Sequence, residues 1–301
     1  MYNYRYNEKG KGRMKIVVIR LTGGLGNQLF QYAMGYAEAK EQNCQLKIDL
    51  RGYKKYHLHG GYRLNNLKIK PAMLTRGEML YFPNILVRAI NRYPRLSLYL
   101  KRFESEYFPV KNKEYSKSIE FIGFWQNEQY FKRYKNELRK IFIPVNLSSD
   151  ILKLKERIQG QTSIALHIRR GDYVSNHEAM NTHGVCSLNY YISSVSYVKK
   201  MVANISFFVF SDDIQWCKEN AREIFNSDDE VNYVEGNSQE VDMWLMSAAK
   251  HHIIANSSFS WWGAWLARDA NNMTIAPIPW FDKKELSGFD PCPESWIRIK
   301  K

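Results

Sequence analysis

The sequence has few cysteines, and none of them form a pair typical of a metal site or a redox centre. Cys44, Cys186, Cys217 and Cys292 are the four cysteines among 301 residues, and no C-x-x-C motif occurs. Zinc ribbons and redox-active dithiols need cysteines at short spacing, so neither is predicted. The pattern indicates free thiols in a reducing compartment, and a cytoplasmic location is expected.

Long apolar runs are also lacking. No stretch reaches the roughly 18 apolar residues that a membrane-spanning helix needs. Residues 1–14 are rich in tyrosine, lysine and arginine, and they contain no apolar segment of the kind found in signal peptides. We therefore predict no transmembrane span, and we predict that residues 1–14 form a flexible basic tail.

Positive charge is what the sequence has in excess. Lysine and arginine number 44 against 30 acidic residues, which gives a net charge of +14. Such a protein can bind nucleic acid, a membrane surface or anionic small molecules. No nucleic-acid partner is predicted, because the basic clusters carry neither zinc-ligand spacing nor an RNA-binding signature. Two basic, partly amphipathic segments at 74–93 and 95–103 predict short helices, which leaves peripheral contact with the inner face of a membrane open.

A βαβ unit is predicted near the start of the chain. The run K-I-V-V-I-R-L at 15–21 predicts a buried strand, and a glycine turn then leads into a helix over 27–42. Gly24 and Gly26 allow the backbone to approach a ligand closely, and the helix N-terminus behind them offers N–H groups to an anion. Asn27 lies at the mouth of this turn, where its amide can reach a phosphate or a sugar hydroxyl.

The same glycine turn permits a different interpretation. A G-x-G-x-x-G motif followed by an acidic residue is the fingerprint of dinucleotide-binding enzymes, and Asp49 stands at a suitable distance for a ribose. Counted from Gly24, however, the third glycine position is occupied by Leu29. An NAD-type oxidoreductase or a sugar-nucleotide-modifying enzyme is therefore the alternative function.

Strands and helices are predicted to alternate from residue 121 onward. A strand is predicted at 121–125 and a helix at 128–141, and residues 143–160 contain Pro144 and a Ser-Ser-Asp sequence before another helix. We predict an acceptor-side Rossmann-like domain over 15–155 and a second Rossmann-like domain over 156–301. The predicted fold class is α/β.

The segment S-I-A-L-H-I-R-R-G-D-Y at 163–173 is predicted to carry the chemistry. Ligands of open α/β sheets bind beyond the carboxyl ends of the strands, so Arg169 and Arg170 would face that crevice. The guanidinium fork suits a phosphate, and His167 lies on the same face of the strand as Arg169. The alternative is a structural ion pair between Arg169 and Asp172 that closes the turn.

Two further strand ends carry polar residues. Asp212 and Asp213 could hold a divalent metal, accept hydrogen bonds from a base or ribose, or cap the next helix. Asn256, Ser257 and Ser258 precede another helix, so one of them is expected to cap it. The remaining hydroxyl groups beside that helix N-terminus would suit a phosphate.

Four blocks of the sequence together resemble a known family. G-G-L-G-N-Q-L-F-Q-Y-A at 23–33, H-I-R-R-G-D-Y at 167–173, F-S-D-D-I-x-W at 210–216 and N-S-S-F-S-W-W-G-A-W-L at 256–266 are similar to the bacterial α-1,2-fucosyltransferases of glycosyltransferase family 11. The resemblance implies a GT-B fold, with two Rossmann-like domains facing a cleft. It also implies GDP-fucose as donor, inversion at the anomeric carbon, and no metal or other cofactor. The expected acceptor is a galactose-terminated oligosaccharide or a lipid-linked glycan, bound by the N-terminal domain.

The resemblance also implies roles for individual residues. Arg169 would bind the β-phosphate of GDP, and Asp172 would either act as the general base or orient Arg169. Asp212 and Asp213 would then contact guanine or ribose instead of a metal. The residues expected to bind the donor are Gly24, Gly26, Asn27, His167, Arg169, Arg170, Asp212, Asp213, Asn256, Ser257 and Ser258.

Overall fold

The computed structural model describes residues 15–55, 60–79, 101–105, 118–268 and 271–301. The predicted basic tail and most of the two predicted amphipathic helices lie outside these residues. Within them the chain forms two parallel β-sheets, one from the N-terminal half and one from the C-terminal half. No helix in these ranges is long and apolar enough to cross a membrane.

The N-terminal sheet has five strands in the order β3-β2-β1-β5-β4, and all of its pairings are parallel. Its strands are β1 (Ile16–Arg20), β2 (Gln45–Asp49), β3 (Ala72–Met73), β4 (Lys101–Ser105) and β5 (Ile119–Gly123). The middle residues of β1 are buried, as expected for a central strand covered on both faces.

The C-terminal sheet has six strands in the order β11-β10-β9-β6-β7-β8, again in parallel. Its strands are β6 (Thr162–Ile168), β7 (Ile205–Ser211), β8 (Glu230–Val234), β9 (His251–Ile253), β10 (Thr274–Ile278) and β11 (Ile297–Lys300). Because β6 is a central strand of this order, the carboxyl ends of β6, β7 and β9 meet at one edge of the sheet.

Eleven helices lie in the described part of the chain. They are α1 (Leu25–Glu41), α2 (Arg76–Met79), α3 (Lys135–Ile141), α4 (Ser149–Gly160), α5 (Gly171–Ser175), α6 (His177–His183), α7 (Leu188–Met201), α8 (Ile214–Glu219), α9 (Ala221–Ile224), α10 (Gln239–Met246) and α11 (Ser258–Trp265). Among them, α1 and α11 matter most for the site, because they come from opposite halves and contact each other.

An aromatic cluster joins the two halves. Phe30 of α1 lies between two tryptophans of α11, with ring centroids 4.4 Å from Trp261 and 4.9 Å from Trp262. Trp262 also donates a hydrogen bond from its indole nitrogen to the carbonyl oxygen of Gly26, at 3.0 Å. All three rings are fully buried. The cluster therefore fixes the N-terminus of α1 beside the N-terminus of α11.

The structure corrects two predicted helices. The helix predicted at 128–141 consists of two 3₁₀ turns followed by the shorter α3, because Phe131 is buried between the turns. Residues 101–103, predicted as helix, belong to strand β4, which pairs with β5. The predicted domain boundary at 155/156 falls inside α4, and this helix packs on β6 and α10.

Candidate functional site

A cavity of about 320 Å³ lies between the two halves of the molecule. Its C-terminal wall is formed by the ends of β6 and β7 and by the start of α11, and its N-terminal wall by the start of α1. Nine of the residues expected to bind the donor line it. They are Gly24, Gly26, Asn27, His167, Arg169, Asp212, Asn256, Ser257 and Ser258.

Two helix N-termini meet at this cavity. Gly24 is the N-cap of α1, and Ser257 caps α11 by accepting a hydrogen bond from the backbone N–H of Phe259 at 3.3 Å. The expectation that one residue of the 256–258 segment caps this helix is confirmed. The first N–H groups of both helices have no partner inside the helix, so two positive dipole ends converge on one space.

Gly26 makes this convergence possible. A Cβ atom at this position would lie 2.5 Å from the carbonyl carbon of Ser258 and 2.6 Å from the nitrogen of Phe259, which is closer than backbone atoms tolerate. The absent side chain therefore allows α1 and α11 to approach each other. The sequence predicted that this glycine allows contact with a ligand, and the structure shows that it allows contact between helices.

Arg169 and Asp212 form an ion pair at the edge of the cavity. The Nη1 atom of Arg169 lies 2.9 Å from Oδ2 of Asp212, and Oδ1 of the same aspartate accepts a hydrogen bond from the backbone N–H of Arg170 at 2.9 Å. The guanidinium also lies 5.5 Å from the ring centroid of Tyr173. These contacts hold the guanidinium at the cavity while leaving about a fifth of the side chain exposed.

Arg170 and Asp213 do not line the cavity. Nε of Arg170 lies 3.3 Å from Oδ2 of Asp213, and its guanidinium lies 4.3 Å from the ring centroid of Trp216. Asp213 caps α8 by accepting a hydrogen bond from the backbone N–H of Trp216 at 3.2 Å. The structure thus gives the two arginines and the two aspartates different places. Arg169 and Asp212 belong to the cavity, whereas Arg170 and Asp213 stabilise the start of α8.

His167 is a buried, neutral side chain in the cavity wall. Only 3% of the residue is exposed, and its Nδ1 atom has no hydrogen-bond partner among the described residues. Burial lowers the pKa of the imidazole to about 3; Asp212 opposes this shift and Arg169 adds to it. A neutral imidazole with an unused ring nitrogen can exchange a hydrogen bond with a ligand.

Asn27 brings the N-terminal domain into the site. Its carbonyl oxygen accepts a hydrogen bond from Nε2 of Gln126 at 2.8 Å, and Gln126 lines the cavity together with Phe124. Both of these residues follow β5, roughly 100 positions from Asn27 in sequence. No local motif marks them, so sequence reasoning missed them.

The side chain of Asn256 holds together segments of the cavity wall. Its amide nitrogen donates to the carbonyl oxygens of His183 at 2.7 Å, Gly184 at 3.1 Å and Trp280 at 3.2 Å. These contacts hold together loops that line the cavity. His183 in turn stacks on Tyr173, with ring centroids 4.7 Å apart and an interplanar angle of 6°. Tyr173 is the last residue of the predicted 163–173 motif, so its aromatic character was the available signal.

A polar group on α10 and the loop before it was also missed. Asn237, Gln239 and Asp242 line the cavity, and Asn237 donates a hydrogen bond from its amide nitrogen to Oδ1 of Asp242 at 3.0 Å. Burial raises the pKa of Asp242 to about 6, and the hydrogen bond from Asn237 opposes this shift. The side chain of Asp172, predicted as general base, lies outside the described residues.

The structure contradicts the dinucleotide interpretation. Asp49 is fully buried, and its carboxylate accepts hydrogen bonds from Nε of Arg20 at 3.0 Å and from the backbone N–H of Arg51 at 2.8 Å. It therefore neutralises two arginines instead of reaching a ribose. Leu29, at the third glycine position, is buried in the core. Among the described residues, no group of three His, Cys, Asp or Glu side chains is placed to hold a metal ion.

Comparison with known proteins connects this site to a family. The model of Glycosyl transferase family 11 matches residues 1–300. The chain is 59% identical over 290 residues to an α-1,2-colitosyltransferase of Escherichia coli, covering 96% of this chain and 100% of the relative. It is 30% identical over 310 residues to the O-antigen biosynthesis glycosyltransferase WbnK of Escherichia coli, covering 93% of this chain and 99% of that relative.

Solved structures extend the comparison to the fold. The NodZ α-1,6-fucosyltransferase soaked with GDP-fucose aligns with a TM-score of 0.50 and 15% identity, over 85% of this chain and 93% of that one. A mutant of Arabidopsis thaliana FUT1 in complex with GDP aligns with a TM-score of 0.52 and 12% identity, over 88% of this chain and 71% of that one. The predicted α/β fold of GT-B type is thereby confirmed.

Proposed function

Because the chain belongs to glycosyltransferase family 11, we propose that it transfers an L-fucose-type deoxy sugar from a GDP donor to the 2-hydroxyl of a glycan acceptor. One observation carries the proposal: Arg169 and the N-termini of α1 and α11 converge on a single cavity between the two halves. A fixed guanidinium and the N–H groups at helix N-termini are what a diphosphate needs as a binding site.

The identity of the transferred sugar is proposed from the names of the related enzymes. The 59% identical relative is named a colitosyltransferase, and colitose is L-fucose without its 3-hydroxyl, so we propose GDP-colitose as the preferred donor. GDP-fucose, the donor that the family resemblance implied, is the second candidate. Similarity to the galactoside 2-α-L-fucosyltransferase of Caenorhabditis elegans supports this second candidate, because that enzyme is 24% identical over 94% of this chain.

The reaction follows from the chemistry of the leaving group. The acceptor oxygen forms a bond to the anomeric carbon while the bond from that carbon to the diphosphate oxygen breaks, with inversion of configuration. Arg169 and the helix N–H groups would stabilise the negative charge that develops on GDP, so a metal ion is not required by the proposal. His167, held neutral, would donate or accept a hydrogen bond beside the diphosphate.

The proton of the acceptor hydroxyl needs a base. We assign it to the carboxylate of Asp172, three residues after Arg169, because a positioned carboxylate can accept the proton as the new bond forms. The guanine and ribose of the nucleotide would be contacted by the polar group formed by Asn237, Gln239 and Asp242. The carboxylate of Asp242 and the amide of Asn237 offer acceptors and donors that match the edge of guanine.

A transfer assay tests this function. The purified chain is incubated with GDP-colitose or GDP-fucose and a galactose-terminated oligosaccharide, with and without EDTA, and released GDP and product linkage are measured. The proposal predicts acceptor-dependent GDP release that survives EDTA, an α-1,2 linkage, and a higher kcat/KM for GDP-colitose. Transfer that requires a divalent metal, or a product linked at another hydroxyl, would contradict it.

A further inference from the structure

A second cavity, whose lining includes several basic side chains, lies away from the donor cavity. Its volume is 450 Å³, within the range of roughly 300 to 1,000 Å³ common for small-molecule sites. Four of its lining residues are basic, namely Arg139, Lys155, Lys250 and Arg268, and none of the described residues that line it is acidic. The cavity is built from α3 and α4 and from the segments that follow α10 and α11.

None of the four cations has a carboxylate partner within the described ranges. Arg139 donates from Nε to the carbonyl oxygen of Leu266 at 3.1 Å and from Nη2 to that of Ala267, so it caps the C-terminal end of α11. Lys155 donates to Oε1 of Gln159 at 3.1 Å, and its ammonium lies 4.9 Å from the ring centroid of Trp244.

Helix capping accounts for Arg139 but not for the other cations. The side chains of Lys250 and Arg268 make no hydrogen bond or ion pair in the part of the chain that the structure describes. Burial lowers the pKa of both Arg139 and Lys155, and the charge of Arg268 lowers each further. The cations therefore repel one another, and a bound anion would relieve that repulsion.

The two cavities are separate sites. Residues at the start of α10 and α11, Gln239 and Ser258, line the donor cavity, whereas Ser247 and Leu266, which follow the ends of the same helices, line the basic one. Eight helical residues span about 12 Å, so the diphosphate of one GDP molecule cannot occupy both.

We propose that this basic cavity, formed around Arg139, Lys155, Lys250 and Arg268, binds the phosphate or diphosphate group of an anionic ligand other than GDP. Guanidinium and ammonium groups around one space form charge-assisted hydrogen bonds with phosphoryl oxygens, and the ring of Trp244 adds an apolar wall. The group could belong to a free phosphorylated molecule or to a lipid.

Titration calorimetry with inorganic pyrophosphate tests the proposal. The full chain is first saturated with GDP, so that the donor cavity is filled. We expect pyrophosphate to bind, and we expect the double substitution Lys250→Gln with Arg268→Gln to weaken binding by about tenfold or more, since two charge-assisted contacts are lost. The matched control is Lys153→Gln with Lys200→Gln, two exposed lysines that lie outside both cavities, which should change the affinity less than about twofold.

Either of two results would overturn the proposal. The first is that pyrophosphate does not bind to the GDP-saturated wild type, and the second is that the two double variants bind it with equal affinity. Co-sedimentation with phosphatidylglycerol vesicles, against phosphatidylcholine vesicles, then identifies the source of the phosphate. Vesicle binding that falls in the Lys250/Arg268 variant assigns the site to a lipid phosphate, and pyrophosphate binding without vesicle binding assigns it to a soluble phosphorylated ligand.

Discussion

Arg169 and Asp212 face each other from the ends of the adjacent strands β6 and β7, with Nη1 and Oδ2 2.9 Å apart. The parallel register of these strands places the segments that follow them side by side. The aspartate thus orients the guanidinium at the cavity without removing it from solvent. This pair distinguishes Arg169 from Arg170, which is turned toward Asp213 and Trp216.

Substitution of the two arginines should therefore give different results. Arg169→Ala should lower kcat/KM by about 100-fold or more, because a charge-assisted contact to the leaving diphosphate is lost in the transition state. Arg170→Ala should lower it by less than about tenfold, because that side chain lies outside the cavity. Steady-state kinetics with varied donor checks both. Equal losses in the two variants would contradict the assignment of the phosphate contact to Arg169.

Gly26→Ala should destabilise the protein and impair transfer together. The added methyl would meet backbone atoms of Ser258 and Phe259, so α1 and α11 must move apart, at a cost of about 1 to 3 kcal/mol. Gly160→Ala is the control, because nothing lies within 4 Å of a Cβ built there. Urea unfolding measures both free energies. A Gly26→Ala protein as stable as the Gly160→Ala protein would show that the close approach is not required.

The pair formed by Arg63 and Glu240 should stabilise the contact between the two halves. Nε and Nη2 of Arg63 lie 2.6 and 2.8 Å from the two carboxylate oxygens of Glu240, which is only 1% exposed. Arg63→Met leaves that carboxylate buried without its cationic partner, with Asn66 still donating a hydrogen bond to it, and should cost about 3 kcal/mol of unfolding free energy. Lys218→Met, which breaks the exposed pair with Glu235, should cost less than about 1 kcal/mol. Similar losses in both variants would argue against a stabilising contact between the halves.

The burial of His167 makes stability depend on pH. Its pKa in the folded protein, about 3, is below the value of about 6.5 expected when unfolded. Between these values the unfolded state binds a proton that the folded state does not, so stability is lost as the pH falls below about 6.5. The wild type should lose unfolding free energy between pH 7.5 and pH 5.0, and His167→Gln should make this loss smaller by at most about 2 kcal/mol. Urea unfolding at the two pH values measures it. The matched control replaces an exposed histidine, His177→Gln.

The sequence predicted those parts of the site that follow from local pattern. The glycine turn at the start of α1, the polar end of β6 and the capped start of α11 each lie within a few residues of a strand end, where parallel topology brings ligand-binding groups together. Gln126, Asn237 and Asp242 were missed, because their place in the cavity depends on how distant segments pack. The shortened α3 was missed for the same reason, since the burial of Phe131 overrides a continuous helical pattern.

Selective binding of GDP at the first cavity is the most direct test of the account. Thermal unfolding would be followed with GDP, UDP, ADP and NAD, with and without EDTA, for the wild type and Arg169→Ala. At about 100 times its Kd, GDP should stabilise the wild type by about 2.7 kcal/mol, independently of EDTA, and much less in the variant. Stabilisation by NAD, a GDP effect that EDTA abolishes, or an equal GDP effect in Arg169→Ala would contradict the account.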